Sequence, residues 1–558
     1  PVLAKGTTGQ GGSININTLF KSWEVVDALL DVSGASGGSI KHFADQQITT
    51  SGKYIAIGTD GKGGSIDVTA NALKFLSSTI DASGTMGGGS IRLGGEYQGG
   101  KNLSIDEIPN AQTLIINDST KITAKAMGSN GAGGRIIAWA DQQAAVFGQF
   151  DVTPGTHSGA GGFVEVSSGR TLTFNGSVRA GVDNRTGTLL LDPKDIEIVG
   201  GDSGDEIISV AFATDASDDS TIPASFINST LSDGTNVVLQ ANNDITVSSA
   251  ITASGSGGDL TLQAGRSVLV DADITTAGGD LTLTANDTLA NGVVDGQRDS
   301  NAAVITMDTS GGTTINTGAG TFTATISAGA DKTNSGTADI TLNTVTAASL
   351  VMTNNGTTTG SDILDSGVLT VSGTSSFTTV GDGVITLDSS SNALTGAVTL
   401  NTGSTANATI DNGSTTLDIA ASDVGGDLQL TSDHSTGITD SGTVTVGGDI
   451  YLITNSGNGT VSMGTLAITG SVDLYTGSGA ATVTDTSGDL DFAASTVGGA
   501  LTATSSNGNI TDSGVLTITL AADFTAADGK KIYLDEASTF SGALDFNAGS
   551  GTLHEVWI

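Results

Sequence analysis

The stretch Gly34–Gly38, "GASGG", has the Gly-x-Ser-x-Gly form of a nucleophile elbow around Ser36, and "GDSGD" at 201–205 imitates a protease serine. An elbow needs a strand-to-helix turn, a distant acid and a His to take the proton. The four His residues, His42, His157, His434 and His554, fall in no recognisable motif and are expected on the surface. "GTDGKGG" at Gly58–Gly64 sets Lys62 among glycines, and "GTMGGGSIRLGGEYQGG" at Gly84–Gly100 is denser still. Neither has the glycine spacing of a phosphate loop with its Lys and following hydroxyl residue. Carboxylates are plentiful, and paired carboxylates are what glycoside cleavage uses. Yet Asp259, Asp280, Asp427 and Asp449 recur at one repeat position, as a solvated face would, and polyuronate cleavage also needs cations, of which 333–529 has none. No EF-hand or calcium-roll nonapeptide is present. No cofactor is expected, though adventitious Ca2+ between acidic coils is compatible with the sequence. With no Cys, thiolate chemistry, disulfides and Cys-type zinc sites are excluded.

The glycines have another order. Gly-Gly-Ser-Ile begins at Gly11, Gly37, Gly63 and Gly88, spacings of 26, 26 and 25, with looser forms at Gly133 and Gly161. Apolar residues then alternate, as in Ile14 and Ile16, Ile66 and Val68, or Ile91 and Leu93, which marks half-buried strands. Later the pattern becomes "GGDLTL" at Gly257 and Gly278, "GGDLQL" at Gly425, "GGDIYL" at Gly447 and "GSVDLY" at Gly470. A longer period overlies it: Asp-Ser-Gly recurs at Asp365, Asp440 and Asp512, 75 and 72 residues apart. Short strands and glycine corners at this period predict an all-β fold with little helix, a right-handed parallel β-helix (β-solenoid) of about 20–26 residues per coil. Its corner glycines are Gly12, Gly38, Gly64, Gly89, Gly134, Gly162, Gly258, Gly279, Gly426 and Gly448, placed where φ is positive or the backbone approaches too closely for a side chain. Gly94–Gly95 turns the chain off its strand, and "EYQGG" opens a loop, because the next glycine pair waits 45 residues. Trp139 is offset from Ile136 and Ala138, so it points outward, either as a contact residue or beneath a loop emerging from the coil; Trp557 is placed to close a terminal coil.

Composition divides the chain. Of 20 Lys and Arg, fifteen lie at or before Lys194, and all five Pro lie at or before Pro223. We read residues 1–200 as a region of Gly-Gly-Ser-Ile coils, 201–235 as a transition with a short helix in "TIPASFINSTL" (Thr221–Leu231), and 236–558 as acidic Thr/Gly/Asp-rich repeats. The net charge of −38 argues against nucleic acid or an anionic membrane as partner. No apolar run is long enough for a membrane span. The first residue is Pro1 and no signal peptide is evident, so the sequence reads as a piece of something longer.

An ordered series between Gly87 and Ile198 carries a resemblance: "GGGSIRLGGEYQGG", "STKITAKA", "GAGGRIIAWAD", "FGQFDV", "GAGGFVEVSSG", "LTFNGSV" and "GTLLLDPKDIEI". In this order the segment resembles the filamentous haemagglutinin family, exoproteins of Gram-negative two-partner secretion. The resemblance implies a secreted adhesin-type β-helical shaft on the cell surface, used for adhesion or biofilm and exported by an outer-membrane partner. Its receptor, protein or glycan, is not specified by the sequence. The expected function is a non-catalytic structural or adhesive rod that can self-associate end to end into an extracellular filament. The alternative is a glycan-binding or glycan-cleaving β-helix enzyme.

Overall fold

Alternating strands with one apolar face cannot bury that face alone; they must stack on copies of themselves. The computed structural model describes residues 1–24, 28–100, 108–182, 185–201, 219–255, 257–288, 291–308, 310–328, 338–357 and 360–558. About half of the chain is strand, paired in parallel as a β-solenoid of about 21 turns. The chain packs as two units: Pro1–Ser300 with Thr317–Gly320, and Asn301–Asn316 with Thr321–Ile558. The compositional change near 200–235 lies inside the first of these.

In the first unit the Gly-Gly-Ser-Ile period is the coil-to-coil register. Ile14 pairs with Ile40, Ile40 with Ile66, Ile66 with Ile91, and Ile91 with Ile136. The column continues through Val164, Leu189, Val237, Leu260 and Leu281. All are buried. Each early coil adds a second strand, as in Lys21–Glu24, Thr113–Ile116, Gln143–Val146 and Thr171–Phe174. A third comes from a seven-stranded parallel sheet that includes Lys53–Ile55, Thr79–Asp81 and Lys121–Thr123. Ile91 and Ile136 are neighbours although 45 residues apart, because the chain leaves the coil at Gly94 (φ +80°) and resumes it at Thr113.

The second column of the core corrects one expectation. His42 is fully buried, in register with Val68 and Leu93, and its Nδ1 lies 2.9 Å from the Tyr54 hydroxyl, with the two rings stacked. It occupies the slot that Ile16 fills one coil earlier. A polar ring is tolerated there because the tyrosine, itself buried, satisfies it. The α-helix is Ala224–Ser232, with Pro223 at its N-cap, and Gly234 (φ +75°) stops it. Phe226 of that helix packs edge-on against Phe174 at 4.7 Å.

The second unit repeats the same logic with shorter coils. Ile340, Ile363, Ile385, Ala408, Leu428, Ile450 and Val472 form one buried column. Phe524 and Phe546 are in register on paired strands and stack, and Phe492 of another sheet meets Phe524 edge-on.

Candidate functional site

The corner glycines set where the strands of each coil point. None of the ten has a positive φ. Their requirement is close approach. A Cβ on Gly38, Gly64, Gly89 or Gly134 would fall within 3.0 Å of the carbonyl oxygen of the preceding glycine, Gly12, Gly38, Gly64 and Gly89 respectively. Each of those carbonyls accepts the next coil's N–H: Gly12 from Ser39, Gly38 from Ser65, Gly64 from Ser90 and Gly89 from Arg135, at 2.9–3.0 Å. Gly162 is crowded by Val152 and Gly134, Gly258 by Thr235, and Gly279 by Gly258; Gly426 and Gly448 meet the side chains of Asn407 and Asp427. Gly12 stands tight against Ala4.

The aspartates after the later glycine pairs do more than keep a face wet. Asp259 Oδ1 accepts the N–H of Asp280 at 2.9 Å, and Asn236 Oδ1 accepts that of Asp259 at 3.0 Å. In the second unit Asn407 accepts from Asp427, Asp427 from Asp449, and Asp449 from Ser471, at 2.7–2.9 Å. Each side chain caps the backbone one coil further on. The Asp-Ser-Gly aspartates do the same with both oxygens. Asp365 accepts from the N–H of Asp388 and from Asn392; Asp440 accepts from the N–H groups of Gly464 and Thr465; Asp512 accepts from the N–H of Asp535 and the hydroxyl of Ser538. Burial pushes the Asp365 and Asp512 carboxyls up from their ordinary range, against these hydrogen bonds. The row is outward-facing, as expected, and Asp259, Asp427 and Asp449 also serve as caps. An Asx directly before the strand is the sequence signal for these, and Asp-Ser-Gly at a strand end for the others.

The most elaborate chemistry lies on an outward face of the first unit. Gly94 turns the chain away from the coil, and a 3-10 turn, Tyr97–Gly100, lies over the neighbouring strands. Trp139 points out of the coil yet is buried beneath this strap; a Cβ on Gly95 or Gly99 would strike its ring. Its Nε1–H donates to Asp141 at 2.9 Å. Arg92 grips Asp67 with two hydrogen bonds of 2.7 and 2.8 Å and also pairs with Glu96 at the root of the strap. The Arg135 guanidinium lies 4.9 Å from the centre of the Tyr97 ring and 5.0 Å from that of Phe163. Asp67, Arg92, Glu96, Tyr97 and Arg135 border a cleft of about 390 Å³.

Under the strap sits Glu165, fully buried between Ile137 and Leu190 in its column. Its Oε1 accepts the N–H of Gln98 at 2.9 Å, and its Oε2 has no hydrogen-bond partner. Burial, the Gln98 bond notwithstanding, pushes its carboxyl up to about 8, so it is a neutral acid at pH 7. The side chain of Gln98 donates to Gln240, and Gln240 donates to Gln263 on the next coil, at 2.9 and 2.7 Å. No motif announces Glu165. The only sequence signal is a charged residue at an outward position beside the outward Trp139.

The apparent motifs dissolve into coil corners. Ser36 lies in a parallel bridge with Gln10, Gly34 in one with Gly58, and Lys62 in one with Gly87. The serine of "GDSGD" lies outside the described residues. His157 bonds Thr156, and His434 bonds Thr416 and the N–H of Thr436. Trp557 is exposed and stacks on Tyr533. Among the described residues no group of three His, Asp or Glu side chains could hold a metal ion, and no helix is long and apolar enough to cross a membrane.

Fold and caps together define a repeat protein of the parallel β-solenoid class. Within it, residues 329–401, 405–463 and 478–547 match a family described as repeats of unknown function (DUF5649). All three segments belong to the second unit, and each contains one Asp-Ser-Gly cap, at Asp365, Asp440 and Asp512. A search of curated proteins returned no match to the chain.

Proposed function

We propose that this chain is the shaft of a secreted cell-surface rod, structural or adhesive, without a catalytic task. The observation that carries the reading is how the polar residues are used. The Asp-Ser-Gly and Gly-Gly-Asp carboxylates are committed to backbone amides of the next coil. Chemistry-bearing side chains are thus employed in stacking coils, which is what a rod under tension needs. The resemblance of Gly87–Ile198 to filamentous haemagglutinins adds the setting: export by an outer-membrane partner of a Gram-negative cell, display outside it, and contact with a surface receptor, a biofilm matrix or further copies.

Electron microscopy of the purified chain tests the rod reading; globular particles would overturn it. Incubation with a panel of polysaccharides tests the absence of catalysis, and new reducing ends would replace this reading with a glycan-cleaving one. Adhesion is tested by coating beads with the chain and counting their retention on cells or matrix against albumin-coated beads; equal retention would remove adhesion and leave a structural shaft.

A further inference from the structure

We propose that the cleft beneath the strap of the first unit, with Arg135 at one wall, is a binding site for an acidic glycan, taking the carboxylate of a uronic acid and the hydroxyls beside it. The inference does not depend on the rod being adhesive.

Arg135 is the anchor. In a chain with 58 acidic residues, Lys5, Arg92, Lys125, Arg266 and Lys531 all pair with carboxylates. Arg135 makes no hydrogen bond or ion pair through its side chain among the described residues. It is exposed, and it lies over the rings of Tyr97 and Phe163, which themselves meet edge-on. Cation–π contact with two rings anchors a guanidinium whose N–H groups suit a bidentate carboxylate. Glu165, whose charge would couple to Arg135, is sealed below and held in its neutral form by burial.

The rest of the cleft suits a hydroxyl-rich ligand. Ser65, Ser90 and Arg135 occupy one outward column on successive coils, about 4.8 Å apart. The two serine hydroxyls make no hydrogen bond among the described residues. Glu96, paired with Arg92, offers a carboxylate as a further acceptor. Two cations, Arg92 and Arg135, line the cleft with Asp67 and Glu96, and Lys41 stands one coil beyond Asp67. A peptide fits less well. The strand Ser65–Phe75 is paired on both sides, with Ser39–Thr50 and Ser90–Leu93, so no strand edge is open for main-chain addition here.

The test is titration of the intact chain with a short oligogalacturonate, with a neutral oligogalactan of equal length and with an oligoglutamate, followed by calorimetry or by Trp fluorescence. Binding of the uronate alone, weakened about tenfold or more by Arg135→Ala and partly restored by Arg135→Lys, is the expected result. Ser65→Ala with Ser90→Ala should weaken it further. Equal binding of the neutral sugar, equal binding of oligoglutamate, an unaltered affinity in Arg135→Ala, or no binding of the uronate would each overturn the proposal. None of these outcomes touches the rod reading, which rests on microscopy.

Discussion

The carbonyl oxygen of Gly64 faces Gly89 so closely that a methyl group on the latter would stand within 3.0 Å of it, while the same carbonyl accepts the N–H of Ser90. Both are backbone contacts, so neither partner can turn aside. Gly89→Ala should cost about 2 kcal/mol or more, the scale of overpacking against atoms that cannot move, and Gly89→Val more. Gly488, where an added Cβ meets nothing, is the control, and Gly488→Ala should be close to neutral. Denaturant unfolding of the variants decides; equal midpoints for Gly89→Ala and Gly488→Ala would refute the close-approach argument.

The buried acid of the strap sets a pH dependence. Glu165 has an ordinary value of 4.5 and titrates at about 8 in the folded chain. The folded state therefore holds a proton that the unfolded chain has already released between these values. Its stabilising share is complete below pH 4.5 and declines as pH rises toward 8, by up to about 1.4 kcal/mol per pH unit. Glu165→Gln keeps an acceptor for Gln98 and abolishes the titration. Hydrogen exchange at the Gln98 amide should accelerate in the wild type relative to this variant between pH 6 and 9. Parallel profiles would show that the carboxyl does not titrate there.

Coil capping can be probed at Asp449, which accepts both the N–H and the hydroxyl of Ser471. Asp449→Ala should lose about 1–2 kcal/mol. Asp449→Asn, which keeps an accepting oxygen as Asn407 does in the same ladder, should lose far less. Equal losses in a denaturant series would point to charge in place of capping.

The polar pair in the core supplies a fourth test. Tyr54→Phe removes the hydroxyl that lies 2.9 Å from His42 and leaves the ring shape intact. The expected cost is about 1–3 kcal/mol, larger than deletion of an exposed tyrosine hydroxyl such as that of Tyr475. A thermal melt of each variant measures the difference, and equal shifts would mean that His42 does not depend on the bond.

The coils are legible in the sequence because their register is a property of spacing. Gly-Gly-Ser-Ile at intervals of 25 and 26 residues puts Ile14, Ile40, Ile66 and Ile91 in one column by counting alone, and the "GGDLQL" and "GGDIYL" pair does the same for Leu428 and Ile450. The short helix follows from Pro223 and Gly234 in the same way. His42 belongs in the core because its slot is that of Ile16; an expectation that weighs residue type above position puts it on the surface instead. The loop at "EYQGG" and the outward Trp139 are legible, but the contacts of Glu165 and Arg135 are not. They are made by Tyr97 and Gln98, which arrive from an insertion with no repeat partner, so no period points to the contact.

The ladder from Asn407 through Asp427 and Asp449 to Ser471 has a direction: each side chain serves its successor and is served by its predecessor. Any one turn can therefore be cut out, or copied in, and the new neighbours still meet as donor and acceptor. Fractions of a turn break the sequence of handshakes. Such a protein changes its length in whole turns, and inheritance can treat a coil as a single interchangeable character.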